Sequence, residues 1–149
     1  MNKKINHWVN GHALDMLRIS IGVVYVWFGS LKFLPRLSPA DQLAKDTIQL
    51  ITFGLFSSTT SIILLAIWET SLGILLIVGF WRRSVFFLLI CHMVCTFVPL
   101  FFFVDLSFTT SPYAFTLVGQ YIMKNIIIIC AALVLNAYAN GKITVKTIT

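Results

Sequence analysis

The stretch Arg18-Ile-Ser-Ile-Gly-Val-Val-Tyr-Val-Trp-Phe-Gly-Ser-Leu-Lys-Phe33 decides the fold, because it combines an apolar run with polar and small residues at helical spacing. Steps of four, three, four and three place five of its residues on one face of a helix. These residues are Arg18, Gly22, Tyr25, Gly29 and Lys32. A cation near each end and two glycines between them predict that partner helices pack closely over this face and supply counter-charge.

The composition of the whole chain indicates an integral membrane protein. Of its 149 residues, 58% are hydrophobic and only 11% are charged, and the mean hydropathy is +0.92. A soluble domain of this size would need a more polar surface. The net charge of +6 comes from residues between apolar runs rather than from a basic patch. We therefore expect the lipid bilayer, and not nucleic acid, as the partner of a single domain over residues 1–149.

Four apolar runs are long enough to cross a bilayer, which takes about 20 helical residues at about 1.5 Å each. We expect them over residues 14–34, 59–80, 84–104 and 117–138. The predicted fold class is therefore all-α, a polytopic four-helix transmembrane bundle. Pro99 predicts a kink in the third span, because proline removes a backbone hydrogen bond.

The distribution of basic residues predicts the orientation. Four spans put both termini on one side, and the positive-inside rule favours the cytoplasmic side of a bacterial inner membrane. Arg36 and Lys45, in the first connection, oppose this orientation. The residues that favour it are Lys3, Lys4, Arg82, Arg83, Lys142 and Lys146.

The connection between the first two spans has the pattern of a short amphipathic helix. Ser38 suits the N-cap, Pro39 the first helical position and Asp41 a capping box, and Gly54 can end the helix. This helix would lie on the outer membrane surface or cap the bundle, and a solvated loop helix is an equal alternative. Its predicted apolar side consists of Leu43, Ile48, Ile51 and Leu55.

The cysteines and histidines do not form a redox or metal motif. Cys91, Cys95 and Cys130 lie in apolar runs, and the first two are four residues apart rather than three. We expect buried free thiols that act as small hydrophobic side chains. His92 has no second histidine at its depth, so we expect a hydrogen-bonded packing residue and no metal site.

Intramembrane charges identify a candidate ligand site. Glu69 lies near the middle of the second span, Lys32 near the outer end of the first, and Lys124 in the outer half of the fourth. Because isolated charges in hydrocarbon are costly, we expect Glu69 to pair with Lys124 first, and with Lys32 or Arg18 second. A purely structural ion pair is the alternative. The predicted ligand-binding set is Arg18, Tyr25, Lys32, Glu69, Gln120, Lys124 and Asn125.

Several short motifs, taken together and in order, resemble the DoxX family of small bacterial and archaeal membrane proteins. They are Trp27-Phe28-Gly29-x-x-Lys32-Phe33, Trp68-Glu69-x-x-x-Gly73, Arg82-Arg83 and Gly119-Gln120-Tyr121-x-x-Lys124-Asn125, preceded by Arg18 and Gly22. The resemblance implies a four-helix membrane bundle. It also implies an association with thiosulfate:quinone oxidoreduction and quinol oxidase complexes, from which the family takes its name.

Three functions are compatible with these features. The leading hypothesis is a redox-associated or quinone-interacting membrane subunit, in which Glu69 and Lys124 hydrogen-bond the quinone headgroup and membrane or periplasmic oxidoreductase subunits are partners. The alternatives are a small-solute or proton permease and a non-catalytic anchor or assembly partner. No motif encodes a tightly bound cofactor, and the sequence leaves open whether the chain is an enzyme by itself. Gly22 and Gly29 could serve packing within the chain or a homo-oligomer.

Overall fold

Apolar helices account for most of the computed structural model, which describes residues 3–34, 38, 41–80 and 82–144, with side chains from residue 7 onward. Within these ranges, four helical segments are long and apolar enough to cross a membrane. They are His7–Leu31, Ser58–Val78, Arg82–Phe102 and Leu117–Ala139. The protein is therefore an all-α polytopic membrane protein, as predicted. Arg36, Pro39 and Lys146, on which the sequence analysis drew, lie outside the described residues.

The elements follow one another in a simple up-and-down order. The helices are α1 (Lys3–Leu31), α2 (Asp41–Ile51), α3 (Ser58–Val78), α4 (Arg82–Cys95), α5 (Val98–Phe102), α6 (Val104–Ser107) and α7 (Leu117–Ala139). A small antiparallel hairpin, not predicted from the sequence, pairs β1 (Phe108–Thr110) with β2 (Ala114–Phe115). We call the end of the bundle where α1 begins and α7 ends the terminus end, and the opposite end the α2 end.

Side-chain and glycine caps set the limits of the long helices. The side chain of Ser57 accepts a hydrogen bond from the Thr60 amide at the start of α3, and Thr116 does the same for Gly119 at the start of α7. Gly79 ends α3 with a φ of 78°, a left-handed conformation that glycine adopts without strain. These caps supply partners for backbone groups that a helix end leaves unpaired.

Two glycines bring α1 and α3 into backbone contact. A Cβ atom added to Gly22 would lie 2.8 Å from the Gly73 carbonyl oxygen, and one added to Gly73 would lie 2.7 Å from that of Gly22. A Cβ on Gly29 would lie 2.6 Å from Thr70 Oγ1. The prediction that a partner helix packs closely over the glycine face of α1 is confirmed, and the partner is α3.

A second helix pair, α4 and α7, completes the bundle. The buried core spans all four long segments and consists of Ile21, Tyr25, Leu72, Leu76, Val85, Phe86, Leu89, Met93, Ala132 and Leu135. The third span is broken, because α4 ends at Cys95 and α5 starts at Val98 with Pro99 in its first turn. The sequence predicted a kink at Pro99, and the structure has an interruption of the helix immediately before it.

The amphipathic helix is present as α2, and it packs against α3 and α5 at the α2 end of the bundle. Leu43 and Thr47 are its buried residues, and the Thr47 hydroxyl donates to the Leu43 carbonyl at 2.6 Å. Ile51 and Leu55 are exposed, so the predicted apolar side is only partly correct. The packing agrees with a helix that caps the bundle.

The cysteines differ from expectation in their burial. Cys91, Cys95 and Cys130 are free, as predicted, but all three are exposed on the outside of the bundle. In a membrane this surface meets lipid, where a thiol side chain is as well accommodated as in a protein core. Hydropathy alone does not distinguish these two apolar surroundings.

Candidate functional site

An ion pair joins the end of α1 to α3, between Lys32 and Glu69. Lys32 Nζ lies 2.5 Å from Glu69 Oε2, and the two side chains are only 11% and 12% exposed. Lys32 immediately follows α1, and Glu69 lies in the middle of α3. Gly29, one turn before Lys32, lets α3 approach until the Cβ atom of Glu69 is 3.0 Å from where a Gly29 Cβ would be. The glycine face of α1 therefore positions this charge pair.

His92 of α4 contacts the same carboxylate from the other side. Its Nε2 lies 3.7 Å from Glu69 Oε1, which is beyond direct hydrogen-bond distance. His92 Nδ1 is hydrogen-bonded to the Tyr25 hydroxyl of α1 at 3.0 Å, and the two rings meet edge to face with centroids 5.7 Å apart. We call the connected side chains Lys32, Glu69, His92 and Tyr25 the polar row.

Sequence reasoning left His92 out of the candidate site. It predicted a hydrogen-bonded packing histidine, and the bond to Tyr25 is such an interaction. The contact with Glu69 joins His92 to the ionisable cluster as well. The feature of the sequence that could have included His92 is its depth, because His92, like Tyr25 and Glu69, lies well inside a membrane-spanning segment. Within the described ranges, no three His, Cys, Asp or Glu side chains converge as metal ligands.

The predicted pairing of Glu69 with Lys124 is wrong. Lys124 is exposed on α7, and its Nζ lies 5.3 Å from the centroid of the Tyr121 ring on the same helix. Gln120, one turn earlier, is exposed as well. The face of α7 that packs inward includes Ile122, which is about 200° around the helix from Lys124. Because of the orientation of α7 about its own axis, Lys124 and Gln120 point away from the polar row.

Arg18 does not reach Glu69 either. It is buried at the terminus end, where its Nη1 donates to the Leu76 carbonyl and, at 2.9 Å, to the Ile77 carbonyl. Its Nη2 pairs with Asp15 Oδ1 at 3.1 Å. Leu76 is seven residues, or about 10 Å along α3, from Glu69. Arg18 therefore caps the C-terminal end of α3, where a cation is favourable.

Asn125 belongs to a separate contact between the two helices of the second pair. Its Nδ2 donates to Thr96 Oγ1 at 2.9 Å, and Thr96 Oγ1 donates to the Met93 carbonyl at 2.6 Å. This bridge joins α7 to the break between α4 and α5. Of the seven predicted site residues, the structure brings together Tyr25, Lys32 and Glu69.

The matched segment of the chain contains the whole polar row. A model of the DoxX family matches residues 13–105. The chain belongs to the DoxX family. The match includes most of the first span and all of the second and third. It stops before Lys124 and Asn125, two of the residues on which the motif resemblance partly rested. No curated protein and no solved structure matches this DoxX chain.

The polar row of this DoxX protein can donate, accept and exchange protons. Lys32 supplies a charged donor, Glu69 an acceptor, and the imidazole of His92 and the hydroxyl of Tyr25 can each do either. Because Lys32 and Glu69 form a one-to-one pair, the row has no spare formal charge when His92 is neutral. The row therefore suits a neutral polar ligand better than an anion.

Proposed function

We propose that this DoxX protein is a redox-associated membrane subunit that binds a quinone headgroup at the polar row. The observation that carries the proposal is that Lys32, Glu69, His92 and Tyr25 lie side by side where α1, α3 and α4 meet inside an apolar bundle. Lys32 pairs with Glu69, Tyr25 is hydrogen-bonded to His92, and Glu69 and His92 approach each other to 3.7 Å. Ionisable groups at this depth are expensive and usually mark a path for a ligand, an ion or a proton.

The chemistry of the row supports a quinone rather than a charged solute. A quinone is neutral, and its two carbonyl oxygens accept hydrogen bonds, which Lys32, His92 and Tyr25 can donate. Reduction to the quinol takes up two electrons and two protons, and Glu69 and His92 are groups that carry protons. Lys, Glu and His side chains do not carry electrons. The electrons would therefore come from a partner oxidoreductase subunit in or beside the membrane.

The position of the row supports entry of the ligand from the bilayer. The side chains of Lys32, Glu69 and His92 are each about one tenth exposed, at the side of the bundle. Trp68, which precedes Glu69 in the sequence of α3, is exposed and is a flat apolar side chain of the kind against which a quinone ring packs. A membrane-dissolved quinone would approach these partly exposed side chains from the lipid side, without crossing water.

We further propose that both termini of the chain face the cytoplasm of a bacterial inner membrane. Arg82, Arg83 and Lys142 lie at the terminus end, and the positive-inside rule puts that end in the cytoplasm. Lys32 then lies toward the outer surface, and Glu69 and His92 lie near the middle of the bilayer. Reporter fusions at Lys142 and at Gly54 test this orientation, because a cytoplasmic reporter should be active only at the first site.

The test of quinone binding is to extract lipids from the detergent-purified protein and quantify bound quinone. We expect wild type to retain quinone, and His92→Phe and Glu69→Gln to lose at least about tenfold in affinity, which corresponds to about 1.4 kcal/mol. Lys124→Met is the matched control, since it removes an intramembrane charge outside the row and should retain quinone.

A folding control is needed because Glu69→Gln leaves the Lys32 charge unpaired. The double variant Lys32→Met/Glu69→Met removes both charges, and we expect it to fold and to lack quinone. Wild-type protein without quinone, even after incubation with added quinone, would contradict the proposal. Uptake into proteoliposomes that depends on Glu69 would then support a permease instead.

A further inference from the structure

A second polar feature lies at the terminus end, remote from the polar row. An open hollow of about 590 Å³ is lined by Arg82, Arg83 and Ser84 at the start of α4 and by Tyr138 and Ala139 at the end of α7. We call it the basic hollow. Its volume is within the range of sites that hold small ligands.

The two arginines of the basic hollow have no acidic partner in the part of the chain that the structure describes. Both are exposed, and Arg82 Nε donates to the Gly79 carbonyl at 3.3 Å, which leaves its terminal nitrogens available. Asp15, which lines an adjoining cleft together with Arg82, is paired with Arg18. The hollow therefore has two uncompensated positive charges.

The basic hollow lies at the depth of lipid headgroups. The third membrane-spanning segment begins at Arg82 and the fourth ends at Ala139, so both spans meet the membrane surface at this point. Tyr138 is a residue type that favours this interface. The hollow is consequently next to lipid phosphates wherever the protein resides in a bilayer.

An apolar surface continues from the hollow toward the bilayer centre. Phe87 lies four residues after Arg83, on the same face of α4, and is 64% exposed. Val94, a further two turns along this face, is also exposed. Arginines at the membrane surface followed by exposed apolar side chains are complementary to a phospholipid, because its phosphate lies at the interface and its acyl chains extend inward.

We propose that the basic hollow binds the phosphate of an anionic phospholipid. Arginine forms paired hydrogen bonds with phosphate oxygens, and the Ser84 and Tyr138 hydroxyls are further donors. Basic pockets between membrane helices are suited to anionic headgroups in this way. The site is independent of the polar row, so its occupancy does not depend on the proposed quinone.

Native mass spectrometry of the detergent-purified protein tests the proposal. The probes are phosphatidylglycerol and phosphatidylcholine with identical acyl chains. We expect wild type to bind phosphatidylglycerol at least about tenfold more tightly, and Arg82→Gln/Arg83→Gln to lose this preference. Lys142→Gln is the matched control, because it removes a cation at the same end outside the hollow, and it should keep the preference.

Three outcomes would overturn the proposal. They are equal binding of the two lipids by wild type, an unchanged lipid preference in the double variant, and full displacement of phosphatidylglycerol by inorganic phosphate at a similar concentration. The last result would assign the hollow to a free phosphate compound. If the double variant does not fold, Arg83→Gln alone is measured, and an unchanged preference in that variant contradicts the proposal equally.

Discussion

Gly22 of α1 and Gly73 of α3 face each other so closely that a Cβ atom on either would lie within 2.8 Å of the other's carbonyl oxygen. In a bilayer this closeness matters because lipid is as apolar as a leucine side chain, so helices associate through tight packing rather than through exclusion of water. The contact between Gly22 and Gly73 fixes how deep α1 and α3 lie relative to each other in the membrane. Gly29 then contacts Thr70 and Glu69, and Lys32 meets the Glu69 carboxylate.

We expect Gly22→Val to destabilise the protein by about 1–3 kcal/mol, because the added methyl groups meet α3 backbone in a closely packed interface. The measurement is the unfolding free energy in detergent. Gly11→Ala is the control, since no heavy atom lies within 4 Å of the added Cβ, and it should be neutral or stabilise the helix by up to about 1 kcal/mol. Equal stability of Gly22→Val and wild type would show that the α1–α3 contact is dispensable.

We expect Lys32→Met to destabilise the protein by about 3–5 kcal/mol, because it leaves the Glu69 carboxylate buried without its partner. The double variant Lys32→Met/Glu69→Met should recover at least half of that loss, since it removes both desolvated charges. The four unfolding free energies form a double-mutant cycle. Additive losses in this cycle would mean that the two groups do not interact.

Tyr25→Phe should cost about 0.5–1.5 kcal/mol, because it removes the hydrogen bond to His92 while leaving the ring in the core. Tyr121→Phe is the matched control, as Tyr121 is exposed on α7 and should tolerate the change. Thermal unfolding of the two variants beside wild type makes the comparison. The assignment of the hydrogen bond is contradicted if both variants unfold at the same temperature as wild type.

Arg18→Met should destabilise the protein by about 1–3 kcal/mol, because the carbonyls of Leu76 and Ile77 lose their donor at the end of α3. Arg83→Gln removes an exposed arginine at the same end of the bundle and should change stability by less than about 0.5 kcal/mol. Hydrogen exchange of the last turn of α3 supplies a local readout. Unchanged protection there in Arg18→Met would rule out the capping role.

Patterns along the chain were sufficient to predict a membrane protein, the number of its spans, an irregularity of the third span at Pro99 and the face of α1 that meets another helix. Hydropathy, proline and helical period act locally, so each is visible in a run of about 20 residues. The Lys32–Glu69 pair was predicted only as a second choice. His92 was assigned to packing, although its depth was compatible with the same cluster.

The sequence by itself therefore determined that this chain crosses a membrane as a helical bundle, and which residues of α1 face the interior. Only the tertiary structure decided that Lys124 and Gln120 point outward, that Arg18 caps α3, and that His92 joins Glu69. The reason is that α7 is apolar around most of its circumference, so its composition does not distinguish the lipid-facing side from the packed side. Its rotation follows from contacts with α4, at residues such as Ala132 and Leu135, which are distant in sequence from the helix they meet.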